Sequence, residues 1–65
     1  MLYITGSNIK DFVSMIITVM EQNEGHLPAF LRSECKDGLS KSSDSTVMAF
    51  YQELAAKYPS ALQYF

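Results

Sequence analysis

Cys35 and His26 are the lone cysteine and the lone histidine of this 65-residue chain. Together they form the most reactive pair of side-chain types available to it. A nucleophilic thiol needs a base beside it and a third group to orient that base. Nine residues separate the two, and no Asp or Asn stands in a spacing that would orient His26. The reading is therefore a structural, partly buried Cys35 and a His26 that sits in a turn. One Cys leaves no internal disulfide. One His, with Glu24, Glu34 and Asp37 as its only nearby companions, is a poor donor set for a metal. No metal and no cofactor are expected, and no catalytic residue is assigned.

The other candidates thin out in the same way. Thr5-Gly6-Ser7-Asn8 precedes a helical pattern, and its N–H groups could seat an anion. It lacks the glycines and flanking strands of a phosphate-binding loop, so it reads as a helix start. The seven carboxylates (Asp11, Glu21, Glu24, Glu34, Asp37, Asp44, Glu53) are scattered. Glu21 and Glu24 are helical neighbours, and neither lies in an apolar stretch that would raise its pKa for acid–base work. Two groups of residues could serve binding instead. Met15, Val19, Tyr3, Tyr51 and Tyr64 are apolar or amphipathic side chains suited to a protein interface. Lys10, Arg32, Lys36 and Lys41 could hold an anionic metabolite or nucleotide at a subunit boundary. Of these two readings the protein interface is the first and the small anionic ligand the alternative.

Those side chains need elements to carry them, and the patterning supplies helices. Gly6-Ser7-Asn8 punctuates the start of a first helix over about 8–23, with Asn8 or Ser7 as cap and Asp11 in the first turn. Gly25 or Asn23 provides its stop. Ile9, Phe12, Val13, Ile16, Ile17 and Met20 form one stripe, and Met15 and Val19 widen it to roughly 200°, about twice what a surface helix requires. Pro28 opens a short second helix, Ala29 to Cys35, with Phe30 and Leu31 as a buried pair and Gly38 just beyond its end. The polar run 39–43 then reads as a tether in which Ser40, Lys41 and Ser42 are replaceable. A third helix over about 44–58, capped by Ser43 or Asp44, carries the stripe Val47, Phe50, Tyr51, Leu54 and Tyr58. Pro59 ends it and opens a last turn that returns Leu62 and Phe65 to the core. Residues 1–5 are β-prone, as a plain extended segment, as a strand paired with another chain, or paired with 62–65.

The whole, 1–65, is one small all-α domain of three helices with a possible N-terminal extended segment. At this size only about 60% of the unfolded chain's surface is buried. Such a core supplies roughly 3–5 kcal/mol unless a staple or partner adds to it. Self-association, most simply as a homodimer with the first helix meeting its own copy, is the staple this composition leaves open. The apolar fraction of 48% and net charge of −2 exclude disorder and give no reason to expect nucleic-acid binding. No apolar run reaches the length of a membrane span, and residues 1–10 lack the basic start of a secretory signal. The cytoplasm is the expected compartment. In size and character the chain resembles the short stand-alone accessory proteins of phages and mobile elements, a resemblance of type that assigns no residues. The expected function is a non-enzymatic protein that occludes or links a protein partner as a homo-oligomer.

Overall fold

A computed structural model describes residues 4–65 and gives the order α1 (Ile9–Gln22), α2 (Ala29–Ser40), α3 (Asp44–Lys57) and a C-terminal 3₁₀ turn, Pro59–Tyr64. The chain is a small all-α domain, with no strand among the described residues. Tyr3 and most of the β-prone start lie outside the described residues. Ile4 and Thr5 belong to no regular element, and Ile4 is buried.

The first helix starts and stops by local bonding. The Thr5 N–H donates to Asn8 Oδ1 at 2.8 Å and the Asn8 N–H to Thr5 O at 3.1 Å, which folds residues 5–8 into a turn feeding α1. Ile9, Phe12, Val13, Ile16 and Met20 are its buried stripe. At its far end the Gly25 N–H reaches back to Met20 O at 2.8 Å, the six-to-one bond of a Schellman cap. The left-handed residue at the position where such a cap prefers glycine is Glu24, with φ 56°, and Gly25 follows at φ 84°. The stop expected at Gly25 therefore begins one residue earlier. Asn23 Nδ2 donates to Val19 O at 2.6 Å and closes one further carbonyl.

The second helix is longer than expected. It runs through Gly38 to Ser40, where the sequence suggested an end after Cys35. The reason is Leu39, which is 7% exposed. Burying a leucine contributes roughly 1.5–3 kcal/mol, more than the cost of about 1 kcal/mol for a glycine inside a helix. The inward stripe is Leu31, Cys35, Gly38 and Leu39. Phe30 falls outside it and is 74% exposed, so the expected buried pair reduces to Leu31.

Ser43 caps α3 by accepting the Thr46 N–H at 3.3 Å, and Asp44 sits in the first turn. Phe50 and Leu54 are fully buried, with Val47, Tyr51 and Tyr58 half-buried beside them. After Tyr58 the chain turns back. Ala61 has no exposure, and the Phe65 ring meets Phe50 edge-on at 5.4 Å. Leu62, expected in the core, is exposed, since a 3₁₀ turn of three residues aims Ala61 inward instead. The closest backbone approaches are α1 with α3 and α3 with the 3₁₀ turn, whereas α2 docks chiefly through its side chains. The Cα radius of gyration, 10.7 Å, is about that of a well-packed chain of this length.

Candidate interaction surface

Each helix has an outer face, and the three differ in chemistry. That of α1 carries Lys10, Asp11, Ser14, Thr18, Glu21 and Gln22, all exposed, the ordinary mix of a solvated face. That of α2 carries Arg32, Ser33, Lys36, Asp37 and Ser40, equally polar, with Phe30 protruding from its first turn.

The outer face of α3 is different. From its second residue onward it presents Ser45, Met48, Gln52, Ala55 and Ala56, all exposed and none charged. Met48 is 61% exposed at its centre. Of the charged side chains of the helix, Asp44 stands one turn before Met48 on the same side, and Glu53 and Lys57 lie along one edge. Lys57 Nζ lies 2.6 Å from Glu53 Oε2. That hydrogen bond holds the Glu53 carboxyl below the usual carboxylate range, with the charges of Lys57 and Lys10 adding to it.

The expected partner-binding residues are placed as follows. Met15 and Val19 are half-buried and packed against the core, so the wide apolar arc of α1 is largely met inside the chain by its own neighbours. Tyr51 is half-buried, edge-on to Phe50 at 5.9 Å. Tyr64 is half-buried, and its hydroxyl lies 3.3 Å from His26 Nδ1 and 3.4 Å from Gly25 O. Tyr3 lies outside the described residues.

The alternative set is dispersed over two helices. Arg32 and Lys36 are exposed on α2, Lys41 follows its last residue, and Lys10 is exposed on α1 toward Glu53. Lys41 Nζ pairs with Asp37 Oδ2 at 3.1 Å. No cavity among the described residues gathers these cations.

Cys35 has no exposure. Burial, with a smaller contribution from the Glu34 carboxylate, pushes its thiol up to about 11. A thiol held protonated is a poor nucleophile. No group of three His, Cys, Asp or Glu side chains among the described residues could hold a metal ion. No helix among them is long and apolar enough to cross a membrane.

Sequence reasoning places Phe30 in the core and passes over Met48, and both are exposed. Both were detectable. Reading α2 through to Leu39 gives the stripe 31, 35, 38, 39, which leaves residue 30 on the flank. Met48 lies opposite Phe50 and Leu54 on the α3 wheel, and the want of charge around it is visible in the sequence.

Comparison with protein-family models, with curated proteins and with solved structures returned no match.

Proposed function

We propose that this chain is a non-enzymatic protein-binding accessory protein that works as a homo-oligomer and occludes or links a protein partner. The observation that carries this reading is the outer face of α3. A helix face turned to solvent ordinarily bears charge along its length, and this one, beyond Asp44 in its first turn, presents Met48 among Ser45, Gln52, Ala55 and Ala56. Small side chains let another backbone come close, and methionine adapts to the surface it meets. In this reading the α3 face joins two copies. Phe30, a large ring held out on the other exposed helix, is the anchor for the foreign partner, since buried aromatic anchors dominate binding energy at interfaces. The reading moves the contact away from Met15 and Val19, whose side chains already pack inside the chain.

A photocrosslinking amino acid placed at position 48, at position 30 and at the polar control Glu21 tests this in cells of the natural source. Position 48 should yield the chain crosslinked to itself, and position 30 an adduct with a different protein. No self-adduct from position 48, or equal adducts from all three positions, would refute it.

A further inference from the structure

The α1–α2 turn and the C-terminal turn lie far apart in sequence and touch in space. Tyr64 Oη is 3.4 Å from Gly25 O and 3.3 Å from His26 Nδ1. Tyr58 Oη would stand 3.8 Å from a Cβ built on Gly25. The turn they meet is strained, because Glu24 occupies the left-handed region at φ 56°, which an L-residue with a long side chain adopts at a cost. Such a conformation persists where its surroundings hold it.

The other side of the C-terminal turn is fastened apolarly, with Ala61 buried and Phe65 edge-on to Phe50 at 5.4 Å. Its covalent link to α3 is Tyr58, at φ −156° and ψ 73°, followed by Pro59, which cannot extend the helical hydrogen bonding. The polar fastenings are long for a hydroxyl, so they are weak. A short segment hinged at one residue, seated by two rings and one small side chain, and tied by long hydrogen bonds has the makings of a unit that opens before the rest.

We infer that residues 59–65 form a strap seated against the strained α1–α2 turn, and that strap and turn open together as one unit while α1 stays packed on α3. Opening frees the Phe65 ring from Phe50 and uncovers the seat of Ala61, so the core becomes reachable without unfolding. This inference stands independently of the proposed binding function.

Native-state hydrogen exchange of the intact chain, read by NMR, tests it with two variants. Tyr64→Phe removes only the hydroxyl that reaches the turn. It should speed exchange at the Gly25, His26 and Ala61 amides by a common factor of roughly two to five, the range of one modest hydrogen bond. Phe65→Ala loosens the strap at its ring contact with Phe50. It should speed the same three amides together by roughly fivefold or more, with the amides of Val13, Ile16 and Leu54 unchanged. If Phe65→Ala accelerates Ala61 and leaves Gly25 and His26 untouched, the strap does not hold the turn. If the Val13, Ile16 and Leu54 amides accelerate by the same factor, there is no separate unit. Either result overturns the inference.

Discussion

Ser42 Oγ lies 2.8 Å from the carbonyl oxygen of Ile4, 38 residues earlier in the chain. The same hydroxyl lies 2.9 Å from Gly38 O at the end of α2. One side chain thus ties the entering chain to the last turn of α2, and Ile4 and Leu39 are both buried. The stretch 39–43 is therefore more than a tether. Leu39 and Ser40 belong to α2, and Ser42 fastens Ile4.

Ser42→Ala should cost about 1 kcal/mol, since it leaves two partly shielded carbonyls with one donor fewer. Ser40→Ala should change stability by no more than about 0.5 kcal/mol, because its hydroxyl bonds an exposed carbonyl, Asp37 O, at 2.7 Å. Urea denaturation of the two variants checks the contrast. Equal effects would return the segment to the status of a passive connection.

Leu39→Ala should cost about 2–5 kcal/mol, the range for truncating a buried leucine. In a domain whose core supplies roughly 3–5 kcal/mol, that is enough to unfold a large share of the molecules at 25 °C. Far-ultraviolet circular dichroism reads the loss directly. A fully folded variant would mean that α2 ends near Cys35 after all.

Glu24→Gly should stabilise the protein, by up to about 1 kcal/mol. The gain is the relief of a left-handed non-glycine residue, reduced by the added freedom of glycine in the unfolded chain. Glu24→Ala keeps the strain and should bring no such gain. Thermal midpoints of the pair measure the difference, and a destabilised Glu24→Gly would show that the Glu24 side chain makes a contribution larger than its backbone strain.

Cys35 makes stability depend on alkaline pH. Its folded pKa is raised to about 11 from 9.0, so the unfolded chain loses the proton first. The stabilising effect of burying the neutral thiol is complete below pH 9 and is lost as pH rises from 9 toward 11, by up to roughly 2–3 kcal/mol. The difference in stability between the wild type and Cys35→Ala should therefore shrink over that window and stay constant below it. At pH 8 the folded thiol should alkylate far more slowly than the denatured one. Rapid alkylation in the native state would contradict the buried position.

The three helices were legible in the sequence because the first and third carry stripes several turns long, and their ends fall within one residue of those expected. The second was misjudged at Gly38. A glycine reads as a stop when only local preference is weighed, and Leu39 overrides it through a contact the local pattern does not show. Phe30 and Leu62 were misplaced for a related reason. Both stand in short segments where one or two apolar positions cannot define a stripe. The surplus on α1 suggested an interface at Met15 and Val19. Their half-burial arises from neighbours distant in sequence, which periodicity does not reveal. The sparsely charged face around Met48 is present in the sequence, but the apolar stripe of α3 marks only the side toward the core, and Met48 lies opposite it.

Sedimentation velocity of the purified chain across the micromolar range tests the central claim, self-association through the outer face of α3, most directly. The wild type should sediment as a dimer or larger, with a thermal midpoint that rises with concentration, and Met48→Glu should sediment as a helical monomer whose midpoint is lower and independent of concentration, since position 48 is exposed and only the association is lost. Met15→Glu combined with Val19→Lys should instead cost helicity within the single chain, because it charges side chains packed against the core. A wild type that stays monomeric throughout, or a Met48→Glu variant that associates as the wild type does, would contradict the account.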